Sequence, residues 1–264
     1  MQRITSRQNP RLADARRLAQ SSRERRKAGR CILEGEHLVG VYCDRVGTPE
    51  LLIVVDAAVT DPRIVALTAR VPAAATLAVP AALFAEIAAL PAEIGVLAVV
   101  PTPRPALPPP GRFCVLLDDL QDPGNVGTIL RTAAAAGVEQ VLLSKHCAFA
   151  WSPKVLRAGQ GAHFLTTIVE NVDLAAWMAT FRAGGGRVAA LVARGGAPFH
   201  LAALEPPLAL AVGNEGAGLS PRLRAAADIE VTIPMPGGME SLNAAAAAAV
   251  VLFECVRREL PQHG

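Results

Sequence analysis

No hydrophobic run in this chain of 264 residues is long enough to cross a bilayer. The longest, residues 244–253, covers ten positions, where a membrane-spanning helix needs roughly 20. The opening stretch MQRITSRQNP is polar and holds no apolar core. That argues against a secretory signal, and a cytoplasmic protein without membrane partners is expected. Cysteine is scarce: Cys31, Cys43, Cys114, Cys147 and Cys255 are odd in number and never spaced C-x-x-C. A zinc site or a disulfide framework is therefore not expected, and buried free thiols are. The five histidines make no H-E-x-x-H pair, so no metal is expected, and His37 in EGEH reads as structural or exposed. No internal repeat is visible.

What is present is a chain 52% hydrophobic, rich in Ala, Leu and Val, the composition of a soluble α/β protein. Net charge is only +3, but it is unevenly spread. Within residues 1–30, ten Arg or Lys face two carboxylates, Asp14 and Glu24, a surplus of eight. The rest of the chain then carries a deficit of five. Concentrating positive charge in one terminal segment favours a polyanion partner over a merely solvated helix. Residues 3–29 read as a basic helical arm starting near Asn9-Pro10. Arg3, Arg7, Arg16, Arg17, Arg25, Arg26 and Lys27 are its candidate contacts.

Short strands are expected at 31–33, 51–55, 76–79 and 96–100, with helices at 37–43, 62–70 and 80–90 between them. Residues 101–111, PTPRPALPPPG, hold six prolines in eleven positions and read as a stiff linker. The expected division is 1–100, linker 101–111, and a second domain 112–264. From Phe113 the pattern becomes strand–loop–helix, with strands at 113–118, 140–143, 164–169, 188–192, 208–212 and 229–233. Ser152-Pro153 and Ser220-Pro221 supply helix starts. A doubly wound parallel sheet is expected.

Two glycine-bearing loops stand out in that second part. LALAVGNEGAGLS places Gly213, Gly216 and Gly218 after a strand, where ligands of open α/β sheets bind. The spacing is G-x-x-G-x-G, with Glu215 where a phosphate would sit, so a nicotinamide dinucleotide site is disfavoured. IPMPGGMESLN cannot be regular structure, because Pro234, Pro236, Gly237 and Gly238 break helix and strand alike. Ser241 then reads as the N-cap of a helix over 243–260. Together the loops point to one pocket for a small polar ligand.

GNEGAGLS and IPMPGGMESLN, with DDLQDPGNVGTILRTAAAAG at 118–137, resemble in order the three motifs of the SpoU/TrmH family. These are RNA ribose 2′-O-methyltransferases of the SPOUT superfamily. The resemblance implies a C-terminal α/β trefoil-knot domain that uses S-adenosyl-L-methionine. ITSRQNPRL with CILEGEHLV resembles, more loosely, the small ribosomal-protein-like domain that binds RNA substrate ahead of it. The implied catalytic set is Asn125, Arg131, Glu215, Ser241 and Asn243. Read from the residues alone, Asn125 in DPGN fits an N-cap, and Arg131 a surface arginine. The implied cofactor contacts are Gly213, Asn214, Glu215, Gly216, Gly218, Ile233, Met235, Gly237, Ser241, Leu242 and Asn243. Arg131 joins the basic arm as an RNA contact, holding phosphate and ribose in a bidentate fork. Ribosomal RNA is the expected substrate; transfer RNA, or a catalytically silent RNA-binding protein, is the alternative. A homodimer is implied through the C-terminal helix, with Val250, Leu252 and Phe253 as anchors. Two positions depart from the family pattern: Ala245 and Gly159 stand where serines are usual.

Overall fold

Two sheets organise the chain in the computed structural model, which describes residues 1–88 and 95–259. The elements up to the proline-rich stretch are β1 (Gln2–Arg3), α1 (Pro10–Gln20), α2 (Ser22–Ala28), β2 (Arg30–Glu34) and α3 (Glu36–Arg45). They continue with β3 (Leu51–Val55), α4 (Pro62–Thr68), β4 (Thr76–Val79), α5 (Ala81–Ala85) and β5 (Val96–Pro101). Beyond it come β6 (Phe113–Leu117), α6 (Pro123–Ala135), β7 (Gln140–Leu143), α7 (Pro153–Gly159), β8 (Thr167–Val169), α8 (Leu174–Ala183) and β9 (Arg187–Leu191). The chain ends with β10 (Ala197–Pro198), β11 (Leu208–Val212), α9 (Pro221–Ala226), β12 (Ile229–Thr232) and α10 (Ala244–Glu259). Among the described residues no helix is long and apolar enough to cross a membrane.

The chain divides into two compact units, Met1–Pro103 with Trp151–Phe164, and Arg104–Ala150 with Leu165–Gly264. The division near residue 103 falls inside the proline-rich stretch. Trp151–Phe164, assigned from sequence to the second domain, belongs instead to the first unit.

In the first unit the sheet order is β1-β4-β3-β5-β2, with β2 and β3 both antiparallel to β5. The basic segment is not an arm. Its start pairs with β4 as a short strand, and Ser21 ends α1 and caps α2 by accepting from the Glu24 amide at 3.3 Å. Leu12, Ala15 and Leu18 form an apolar stripe on α1, buried with Ile32, Ile53, Leu77 and Phe84. The helix expected over 80–90 is shorter, α5, and residues 89–94 lie outside the described chain.

The second unit holds a seven-stranded, wholly parallel sheet, β10-β12-β9-β11-β6-β7-β8. Its central strands are continuous apolar runs because both faces are covered. Alternate residues Cys114, Leu116, Val188, Ala190, Ala209 and Ala211 pack against Leu174, Trp177, Met178 and Phe181 of α8 and Leu223 of α9. Strand alternation turns Val115, Leu117, Leu210 and Val212 to the opposite face. There α6 and α10 pack on each other, burying Val126, Ile129 and Leu130 with Ala248, Val251 and Leu252. The strand expected to start at 164 starts at Thr167, because Ala162–Phe164 is a 3-10 turn. The terminal helix, expected to reach 260, is described to Glu259.

Candidate active site

Four adjacent strands, β12, β9, β11 and β6, end side by side, so their carboxyl-end loops meet. The loop after β6 is fixed first. Asp118 is buried and its Oδ2 accepts from the Ser220 amide at 2.8 Å, tying β6 to the end of the 213–218 loop. Asp119 takes a left-handed φ of 57°, and its carbonyl accepts from Asn214 Nδ2 at 2.8 Å. The α6 N-cap is Asp122, not Asn125: Asp122 Oδ1 accepts from the Asn125 amide at 2.8 Å. That frees the Asn125 side chain, which points out of the first turn.

The 213–218 loop is closed on itself. Asn214 and Gly218 exchange backbone hydrogen bonds of 3.0 and 2.9 Å, and Asn214 Oδ1 accepts from the amides of Gly216 and Ala217, each at 3.0 Å. A Cβ on Gly213 would overlap the backbone of Gly218 and Leu219, so glycine is required by the protein's own loop. Gly218 has φ +71° with open space around its Cβ position, and the space beside Gly237 is open too.

Three of the five implied catalytic residues form a row. Glu215 Oε1 accepts from Asn125 Nδ2 at 3.0 Å and from the Asp122 amide at 3.1 Å. Its Oε2 accepts a longer bond, 3.4 Å, from the Gln121 amide. Asn243 Nδ2 donates to Asn125 Oδ1 at 2.8 Å, while Asn243 Oδ1 accepts from the amides of Ala245 and Ala246. Asn243, not Ser241, therefore caps α10. A carboxylate only accepts, so Glu215 fixes the orientation of the Asn125 amide, and that fixes Asn243 in turn. Desolvation alone would raise the Glu215 pKa, but the bonds from Asn125 and the backbone outweigh it and the pKa is lowered. Arg131 is exposed on the third turn of α6, without a partner among the described residues. Ser241 is exposed beside the row but is not hydrogen-bonded into it.

Beside the row lies a cavity lined by Gly213, Asn214, Glu215, Gly216, Gly218, Ile233, Met235, Ser241 and Leu242. Of the implied cofactor contacts only Gly237 and Asn243 do not line it. Sequence reasoning missed the end of β9, Leu191, Val192 and Ala193, together with Val212, Ala244 and Ala247. The strand pattern placed β9 but could not place it next to β11. Leu191, Val192, Val212, Ile233 and Leu242 supply apolar walls, and Asn214, Glu215 and Ser241 supply polar groups. That donor set fits an adenosyl group, whose ring needs apolar faces and whose edges need a few polar partners.

The basic residues of the first unit are mostly neutralised within it. Arg3 pairs with Asp56 at 2.9 Å, Arg7 and Arg16 with Glu86 at 3.1 and 2.7 Å, and Arg17 with Asp14 at 3.0 Å. Arg25 is buried, donating to the carbonyls of Leu18 and Ala19, and so leaves the set of available cations. Arg23 and Lys27 are exposed cations of α2.

An all-parallel sheet whose central loops close over a small mixed cavity defines an α/β enzyme domain that binds its ligand at the strand ends. The profile of the SpoU rRNA Methylase family matches residues 112–253. The 23S rRNA (guanosine(2553)-2'-O)-methyltransferase RlmP of Bacillus subtilis (strain 168) is 32% identical over 260 residues, covering 96% of this chain and 98% of that one. The crystal structure of the SpoU methyltransferase AviRb from Streptomyces viridochromogenes, in complex with the cofactor AdoMet, aligns with a TM-score of 0.85. It is 27% identical and the match covers 96% of this chain and 99% of that chain. An rRNA methyltransferase from Sinorhizobium meliloti aligns with a TM-score of 0.83 at 28% identity, over 98% of each chain. This chain belongs to the SpoU rRNA methylase family. With that membership stand the expected parallel α/β fold and the enzyme class, an S-adenosylmethionine-dependent RNA methyltransferase.

Proposed function

We propose that this protein methylates a ribose 2′-hydroxyl in structured ribosomal RNA, with 23S rRNA, on which the RlmP relative acts, as the first candidate. The observation that carries the reading is the row Glu215–Asn125–Asn243, which joins all three motif loops beside the cavity. Bound in that cavity, S-adenosylmethionine supplies an electrophilic methyl group on its sulfonium. The apolar walls from Leu191, Val212 and Ile233 exclude water from the adenosyl side. The row holds the 213–218 loop against the start of α6, so the cavity keeps its shape when the ligand leaves. Arg131 supplies a planar fork that holds the phosphate and ribose of the acceptor nucleotide. Positioning the hydroxyl in line with the methyl group provides most of the rate.

The enzyme works in the cytoplasm as a homodimer in this reading. Val250 and Phe253, one turn apart on α10, are exposed apolar side chains at 38% and 48%, the kind of patch a second copy covers. Leu252 is fully buried in its own chain and is not an interface anchor. The trefoil knot of the family belongs to the same reading, with α10 as the threaded segment.

The test is labelled-methyl transfer to purified 23S rRNA and to a transfer-RNA fraction, with Arg131→Ala and Arg131→Lys alongside the unaltered protein. Transfer to 23S rRNA is expected. Both variants should lose on the order of 10²-fold in single-turnover rate, the scale of a positioned catalytic group. Cofactor affinity should hold. Near-normal transfer by Arg131→Ala overturns the role of Arg131, and transfer confined to transfer RNA overturns the substrate.

A further inference from the structure

Positive charge in the second unit is largely neutralised within it. Eight of its ten arginines stand in ion pairs. Lys145, the single lysine of this unit, is exposed and has no partner among the described residues. His146 beside it is exposed and without a partner there too. Both sit in the turn that follows β7. β7 runs parallel to β6 with Leu143 opposite Leu117, so this turn opens at the same edge of the sheet as the loops of the site. Three bonds hold it to the end of β6 and the loop beyond. The Asp119 amide donates to Ser144 Oγ at 2.9 Å, the Cys147 thiol to the Leu117 carbonyl at 3.2 Å, and the Ala148 amide to the Leu120 carbonyl at 2.8 Å. Lys145 and His146 are therefore carried at a set place beside the loop that leads into Asn125.

The rest of that edge is acidic. Along the strand order β11-β6-β7, the first two loops carry Glu215, Asp119 and Asp122. A nucleotide whose 2′-hydroxyl meets the cofactor can set its neutral ribose beside these carboxylates. Its phosphates carry the same sign of charge and are turned away from them. The next cation in the strand order is Lys145, a compact ammonium with three donors, and the His146 ring adds a further N–H. We propose that the turn 144–148 takes a backbone phosphate of the RNA substrate, next to the nucleotide that is methylated, through Lys145 and His146. The contact is separate from the one assigned to Arg131. It rests on the RNA-methyltransferase reading above and adds to it the course of the RNA strand across the sheet edge.

The test is binding of the full chain to purified 23S rRNA across a salt series, with Lys145→Ala, Lys145→Glu and Lys145→Arg alongside the unaltered protein. One phosphate contact contributes about 0.7–0.9 to the slope of log K against log salt. Lys145→Ala should make the slope shallower by that amount and weaken binding about five-fold at about 0.1 M salt. Lys145→Glu should weaken it further, and Lys145→Arg should restore both slope and affinity. In methyl transfer, Lys145→Ala should raise KM for the RNA and leave kcat and S-adenosylmethionine affinity unchanged. An exposed, unpartnered side chain adds little to folding, so the urea midpoint should stay the same in all three variants. A slope and affinity in Lys145→Glu equal to those of the unaltered protein overturn the proposal. A fall in kcat with KM unchanged overturns it as well. Transfer to no RNA at all would instead remove the functional reading, and the salt series, which needs no turnover, is read independently of that result.

Discussion

Asn125 has opposite polarities on its two amide atoms, and both are used: Nδ2 donates to Glu215 and Oδ1 accepts from Asn243. Asn125→Asp keeps the shape and the bond from Asn243 but turns an oxygen on Glu215 at about the same separation. Two full charges 3.0 Å apart repel by about 1.4 kcal/mol in bulk water and about 5.5 kcal/mol at an effective dielectric of 20. The lost bond to a charged acceptor is worth a further 1.5–3 kcal/mol, roughly. Both groups border solvent, so the lower repulsion applies and the total cost is about 3–4 kcal/mol. Asn125→Ala loses that bond and the one from Asn243 without the repulsion, about 2–4 kcal/mol by the same reckoning, so the two variants differ in pH dependence rather than in size at pH 7.

Urea unfolding at pH 7 and at about pH 5 separates the two variants. In Asn125→Asp the folded pair binds a proton more tightly than the unfolded chain, because like charges raise its pKa. Its penalty is therefore full above that raised pKa and shrinks as pH falls through it. The unaltered protein runs the other way at this site. The Glu215 pKa is lowered by folding, so its contribution is present at neutral pH and lost as pH falls through the folded value. Asn125→Asp should thus gain stability relative to Asn125→Ala as the pH falls from 7 toward 5. Parallel pH slopes for the two variants would refute the polarity argument.

Gly213→Ala should abolish S-adenosylmethionine binding by forcing the 213–218 loop open, and Gly218→Ala should weaken it less, since only φ opposes that side chain; calorimetry reads both. Glu254 is held at about 2 by hydrogen bonds from Arg257 and then Arg258, a lowered pKa whose stabilisation is present above the ordinary carboxylate range and lost as pH falls toward 2. After allowance for solvent screening of Arg257, Glu254→Gln should cost about 1–2 kcal/mol at pH 7 and flatten the acid limb of the stability curve. Phe253→Asp should shift the sedimentation coefficient from dimer to monomer with the fold intact; an unchanged dimer would place the interface elsewhere.

Where the loops bind was legible because chemistry and spacing were local. GNEGAGLS and IPMPGGMESLN each follow a strand, and a strand end is where open sheets bind ligands. Who touches whom inside the site was not. Asn125 looked like a cap because caps and functional asparagines share a turn, and only the position of Asp122 relative to Pro123 decides between them. The end of β9 was missed because strand order is set by crossovers, which no local pattern encodes. The basic segment misled in a different way. Its charge is real, but Asp56, Glu86 and Asp14 supply the counter-charges, two of them from far along the chain. Leu12, Ala15 and Leu18 are too sparse to announce a packed helix and are nonetheless fully enclosed.

The return of Trp151–Phe164 to the first unit changes where this protein can be cut. The proline-rich stretch looks like the natural seam, yet a fragment ending there would lack α7, which packs on β2, and the ring of Phe164 that meets Tyr42 edge-on at 5.2 Å. Such a fragment would expose the apolar wall those residues cover. During synthesis the first unit likewise waits, unfinished, until residue 164 has left the ribosome. A transplantable version of it needs both pieces of chain, joined by a short bridge across the gap left by residues 104–150.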